Sequence, residues 1–143
     1  MPGTLTLSQL SEGMELPGLT KSVTQLDINL YAEAGGDHNP VHLDNEFAVK
    51  AGLGGTVAHG MLILAYISQM MTGAFGANWL QAGRLDVRFK AAARPGDTIT
   101  VSGKVAKLVK ANGQTTVTCS VQCVNPKGET VITGEAQVIV TET

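Results

Sequence analysis

A chain of 143 residues fits one domain, spanning 1–143, and a domain of that size buries roughly 70% of its unfolded surface. Apolar residues make up 43% and charged residues 15%; the net charge of −2 comes without a long run of either sign, which argues against a nucleic-acid surface. Low charge with a mean hydropathy of +0.12 suggests that a partner subunit covers some apolar surface. The first ten residues show no basic region followed by an apolar core, so no secretory signal is expected. The most strongly apolar run, 61–67, is too short to cross a bilayer.

In chain order, Thr24 has the chemistry of a helix cap, with Asp27 three residues on and Val23 and Ile28 at the spacing of a hydrophobic staple. The spacing predicts a helix over 25–34, with Leu26, Leu30 and Ala34 as its inward face. Gly35-Gly36 ends it. A short helix over 45–50 follows, and Gly52, Gly54 and Gly55 mark a mobile loop. Residues 60–72 are apolar on nearly every face, which predicts a helix buried on most sides.

Beyond residue 84 the period changes to two. Leu85, Val87 and Phe89 alternate with polar residues, as do Ile99, Val101, Gly103 and Val105, and then Val117, Cys119, Val121 and Cys123. Residues 129–140 form a fourth β-rich run of less clean alternation. Pro95-Gly96, Asn112-Gly113 and Asn125-Pro126-Lys127-Gly128 punctuate them with turn chemistry. The pattern predicts an α+β fold, an antiparallel sheet wrapped around one buried helix, with an open edge that dimerisation would cover. Cys119 and Cys123 lie four strand residues apart, roughly 13 Å, beyond disulfide reach. They read as core residues of a protein in a reducing cytoplasm.

The segment dense in chemistry is Gly36-Asp37-His38-Asn39-Pro40-Val41-His42-Leu43-Asp44. Pro40 stiffens the loop and biases Asn39 towards an extended conformation. A stiff turn can bring Asp37 and His42 onto one water molecule, which is what addition of water to a double bond requires. The plainer alternative is a turn-forming Asp and a helix-flanking His. His42, Asp44, Asp37 and His59 could also be ligands, but no recognised ligand spacing is present and no metal is expected. Further on, Ala58-His59-Gly60 precedes the apolar helix. The Gly60 N–H, with the helix dipole behind it, is placed to polarise a carbonyl; alternatively Gly60 is a hinge. His59 reads as a structural histidine with a satisfied hydrogen bond.

These residues resemble a known family. Tyr31-Ala-Glu-Ala-Gly-Gly-Asp37-His-Asn39-Pro40-Val-His42-Leu-Asp44 is similar to the signature of the MaoC-like, (R)-specific enoyl-CoA hydratases, or hydratase 2. Ala58-His59-Gly60-Met61 resembles their second block. Val87-Arg88-Phe89-Lys90 with Arg94-Pro95-Gly96-Asp97 resembles the third. The resemblance runs from about residue 16 to 140. It implies a hot-dog fold working as a homodimer or an oligomer of dimers. It also implies hydration of trans-2-enoyl-CoA to (R)-3-hydroxyacyl-CoA, or the reverse dehydration, on coenzyme A or acyl carrier protein.

No cofactor beyond that carrier, no nucleic acid and no membrane is expected. In such a family Asp37 and His42 would activate the water, Gly60 would bind the thioester oxygen and Asn39 would support the site. Ser68 falls where some bacterial members have a serine near the substrate. A preorganised N–H facing the developing enolate is worth about 3 kcal/mol. Met61 and the helix beyond it, with Trp79, are candidates for an apolar acyl slot. Arg84, Arg88, Lys90 and Arg94 are candidates for the coenzyme A phosphates or, equally, a solvated strand face. His38, at the variable motif position, is a candidate for tuning substrate choice. A thioesterase and a non-catalytic acyl-binding module are the competing readings. The Gly-Asp-x-Asn-Pro-x-His arrangement weighs against the first, and retention of Asp37, His42 and Gly60 against the second.

Overall fold

The computed structural model describes residues 4–141. After a 3-10 turn at Leu7–Gln9, the elements are β1 (Leu19–Ser22), α1 (Gln25–Gly35), α2 (Pro40–Leu43), α3 (Asn45–Lys50), α4 (Gly60–Phe75) and α5 (Ala77–Ala82). The longer strands follow: β2 (Arg84–Phe89), β3 (Thr98–Ala111), β4 (Gln114–Val124) and β5 (Thr130–Thr141). The five strands form one antiparallel sheet in the order β1-β3-β4-β5-β2. It wraps around α4, the architecture that the strand pattern and the family resemblance both imply.

The alternation of β3 and β4 sets which face is buried. Ile99, Val101 and Val105 of β3 and Val117, Cys119, Val121 and Cys123 of β4 all point inward. Gly103 continues that inward series without a side chain, because a Cβ there would come 2.9 Å from Met70 Cε of α4. Asn112 (φ 54°) and Gly113 (φ 75°) make the two-residue turn between Ala111 and Gln114, a left-handed pair that suits a twisted hairpin. The weaker alternation of the last strand has a local cause. Cys123 pairs with Ile132 and Val124 with Thr130, so Val131 is the extra residue of a bulge and turns inward beside Ile132. Both cysteines are free and buried, and burial pushes their thiols up to about 11 (Cys119) and about 12 (Cys123).

The central helix runs three residues beyond the expected end. Ile63, Tyr66, Ile67, Met70, Met71, Ala74 and Phe75 are buried against the sheet and its flanking segments. The opposite stripe, Met61, Ala65, Gln69 and Gly73, is open in the single chain, so the expected burial on most sides holds only for the sheet side. Among the described residues no helix is long and apolar enough to cross a membrane.

Two expectations are corrected. The inward face of α1 is not Leu26, Leu30 and Ala34: Leu26 is 65% exposed and Leu30 58%, while Ile28 and Ala32 are buried. Two residues along a helix is a rotation of about 200°, so the two sets lie on opposite faces. The capping box fixes the entry: Thr24 Oγ1 accepts from Asp27 N at 3.0 Å and Asp27 Oδ2 from Thr24 N at 3.2 Å. With the entry fixed, buried Val23 and Ile28 decide the winning face. The second correction is β1, which the sequence pattern did not reveal. Its four residues are mostly polar and exist as a strand only through pairing with residues 98–101 of β3.

Candidate active site

The loop after α1 carries the acidic residue. Asp37 Oδ1 accepts from Asn39 N at 3.2 Å, and Asn39 Oδ1 in turn accepts from Val41 N at 3.1 Å, capping α2 with Pro40 at its first position. This short helix turns His42 back towards Asp37. Asp37 Oδ2 and His42 Nε2 lie 3.9 Å apart. That is too long for a direct hydrogen bond, but an oxygen about 2.8 Å from each atom fits between them.

The tautomer of His42 follows from its other partner. Nδ1 sits 2.8 Å from the Val57 carbonyl oxygen, which can only accept, so Nδ1 carries a proton; in the neutral imidazole the lone pair is then on Nε2, the nitrogen that faces Asp37. The His42 main chain is pinned as well: Gln25 Nε2 donates to its carbonyl at 2.8 Å, and Gln25 Oε1 accepts from Thr56 Oγ1 at 2.8 Å. Val57 N donates to Val41 O at 3.1 Å and Ala58 N to Ala93 O at 2.8 Å. Residues 56–58 are thus strapped on both sides, which ties α1, α2 and the start of α4 together.

His59 is the cap residue of α4, only 2% exposed. Its Nε2 donates to the main-chain carbonyl of Asp37 at 2.9 Å. Its ring stacks on His42, with centroids 3.8 Å apart and planes at 26°, and meets Tyr31 at 4.8 Å. Nδ1 is buried with no hydrogen-bond partner, so the expected satisfied histidine is satisfied at one nitrogen only. Ligand atoms of Asp37, His42 and His59 lie within 4.8 Å of one another. Imidazole lone pairs lie in the ring plane, however, and two nearly parallel rings stacked at 3.8 Å cannot both aim them at one ion about 2.0–2.1 Å away. The geometry does not fit a shared metal. Asp44, the other acidic candidate, is spent capping α3 through Phe47 N at 3.1 Å.

Gly60 opens α4, where first-turn N–H groups lack intrahelical acceptors. It lines a cleft of about 370 Å³ with Val57, Ile63, Phe89, Lys90 and Ala93 among the walls. The Phe89 ring lies over Gly60, so a Cβ there would approach Phe89 Cε1 to 2.9 Å. A second cleft, about 450 Å³, opens on the Tyr31 side, walled by Leu30, Tyr31, Leu62, Tyr66, Lys21 and Asp27. There Lys21 Nζ sits 5.4 Å from the Tyr66 ring centre, and burial, then the Asp27 and Cys123 charges, push the Tyr66 hydroxyl upward. A larger depression of about 540 Å³ faces β1, β3 and β4 and includes none of these groups.

Asp37, Asn39, His42, His59 and Gly60 are therefore contiguous, with Met61 (57% exposed) and Lys90 beside them. Other candidates lie elsewhere. Ser68 is two helical turns beyond Gly60, and its Oγ accepts from Trp79 Nε1 at 2.9 Å. Trp79 is itself buried, its ring close against Gly83. Arg84 and Arg88 are exposed on β2, opposite Gln137 and Thr133. Arg94 braces Gly55 O at 3.3 Å, and His38 pairs with Glu33 at 3.3 Å. Gln25, Thr56, Tyr31 and Phe89 were not foreseen in the site: each is an ordinary residue type whose role depends on a partner distant in sequence.

The chain resembles known proteins in sequence and fold. The profile of the family described as MaoC like domain matches residues 11–126. The chain is 34% identical over 125 residues to an (R)-specific enoyl-CoA hydratase of Rhodospirillum rubrum, covering 85% of this chain and 83% of that protein. It is also 34% identical over 126 residues to a 3-hydroxybutyryl-CoA dehydratase of Methylorubrum extorquens, covering 84% and 74%. Among solved structures, an unliganded R-hydratase from Pseudomonas aeruginosa superimposes with a TM-score of 0.82 at 28% identity, covering 95% of this chain and 85% of that one.

Proposed function

The chain belongs to the MaoC-like dehydratase family and is a hydro-lyase of that type, and from that premise we propose that it adds water to trans-2-enoyl-CoA, giving the (R)-3-hydroxyacyl thioester, or runs the reverse dehydration. The observation that carries the reading is the 3.9 Å gap between Asp37 Oδ2 and Nε2 of His42, whose other ring nitrogen is engaged by Val57 O. A water bridging these atoms gives one proton to the dyad while its oxygen bonds to C3. C2 then takes a proton back from the dyad, so the pair ends as it began. The two groups act on one water as a coupled unit, and the duties are not divided between them.

Negative charge gathers on the thioester oxygen as C3 is attacked. The Gly60 N–H, backed by the sixteen residues of α4, is the donor for it. The cleft at Gly60 receives the thioester, with Phe89 over it and Lys90 at its wall for a carrier phosphate. Coenzyme A is the preferred carrier because both relatives compared above are named for CoA substrates. We further propose a homodimer of single-domain chains in the cytoplasm. The open α4 stripe of Met61, Ala65 and Gln69 and the outer edge of β2 are the surfaces that a second copy would cover.

The test is loss of enoyl-thioester absorbance when the protein meets trans-2-butenoyl-CoA, with chiral analysis of the product. Formation of the (R)-3-hydroxy product, absent with D37N, supports the proposal. Turnover of the acyl carrier protein thioester alone would reassign the carrier. A folded protein inert towards enoyl thioesters on both carriers would overturn it in favour of a binding module. A monomer at micromolar concentration by light scattering would refute the dimer.

A further inference from the structure

His59 lies where the parts of the site meet, with a ring nitrogen within 4.8 Å of ligand atoms of Asp37 and His42. Its Nε2–H reaches the Asp37 carbonyl at 2.9 Å, its ring face lies 3.8 Å from that of His42, and the next residue is Gly60. We infer that His59 is a positioning residue, a buried clamp that holds the Asp37 main chain and the His42 ring in fixed relation to the first N–H of α4.

The clamp acts by two separable contacts. The hydrogen bond ties a loop that has few other anchors: Asp37 itself is half exposed, and among the described residues the hydrogen bond to its carboxylate comes from its own turn, from Asn39 N. The stack limits how far the His42 ring can swing about the Nδ1 bond to Val57. Tyr31 packs on His59 in turn and links the clamp to α1. A phenyl ring would fill the same space without burying an unpartnered nitrogen, as His59 does at Nδ1. The distinctive contribution of the imidazole is therefore the Nε2–H bond. The groups facing the ring are the Asp37 carbonyl, the His42 imidazole and the Tyr31 ring.

This inference rests on the hydration reading for its kinetic test, so a second readout is independent of activity. The variants are H59F, which keeps a flat ring and loses the donor, and H59Q, which keeps an N–H at similar reach and loses the stack. With trans-2-butenoyl-CoA, H59F is expected to lower kcat by about 10- to 100-fold with KM within about twofold, because geometry is lost and binding is not. H59Q is expected to recover kcat to within about tenfold of wild type although it packs less well. Wild-type kcat in folded H59F, or equal losses in both variants that track their melting temperatures, would overturn the clamp. In wild type, long-range ¹H–¹⁵N spectra should show His59 protonated on Nε2 and His42 on Nδ1. The opposite tautomer on His59 overturns the inference even if H59F fails to fold. If wild type turned over no thioester but showed the expected tautomers, the hydration reading would fail and the clamp would stand.

Discussion

The β3–β4–β5 sheet and the loop carrying Asp37 are held by different means. Residues 98–141 are joined by long antiparallel ladders whose inward side chains fill one face of the core. Between residues 36 and 59 the site is tied by separate side-chain hydrogen bonds, among them Asn39 to Val41, His42 to Val57, Gln25 to His42 and Thr56, and His59 to Asp37. The sheet is redundant, so one lost contact costs stability and little geometry. The ties around the dyad are fewer and separate, so one lost contact there is expected to displace a functional atom more than it lowers stability.

That contrast breaks if the dyad variants unfold. Asp37→Asn and His42→Ala should each lower kcat by at least about 100-fold with thermal midpoints near wild type, as read by enoyl-thioester turnover beside circular dichroism. The opposite profile is expected at Ile67, fully buried on α4. Ile67→Ala should cost about 2–5 kcal/mol, seen as a lower urea midpoint at unchanged slope, with kcat close to wild type in the folded fraction.

Gln25→Ala probes the boundary between the two regimes. It removes two 2.8 Å bonds that hold His42 and Thr56, so about a three- to tenfold fall in kcat is expected with about 1 kcal/mol of stability. Ile67-like behaviour there would show that the strap serves the core alone.

The smallest effect concerns the sheet thiols. Burial raises Cys119 to about 11 and Cys123 to about 12, whereas the unfolded chain ionises near 9. Above pH 9 the unfolded state therefore binds fewer protons than the folded state, and stability must fall as pH rises towards 12. Urea midpoints between pH 8 and 10.5 should slope downward in wild type and less so in C119A/C123A. Parallel slopes would refute that origin.

Much of this protein was legible from local chemistry. Period-two alternation in 98–123, Asn112-Gly113, the Thr24–Asp27 box and the Asn39-Pro40 turn each depend on residues a few positions apart, so the chain declares them without a partner. The motif likewise placed Asp37 and His42 together. Other features exist only through contacts between distant positions. The face that α1 buries was decided between two apolar stripes by Val23 and Ile28. The strand at 19–22 was decided by the free edge of β3, and the inward turn of Val131 by a register shift against β4. The pairing of the Ser68 hydroxyl with Trp79 was decided by the packing of α5 against α4. The stacking of His59 on His42 joins residues 17 apart whose types alone predict nothing of the kind. Local patterning determined which elements form and where the dyad lies; tertiary packing decided which faces are buried and what holds the dyad still, because burial and side-chain pairing are settled only when distant segments compete for the same space.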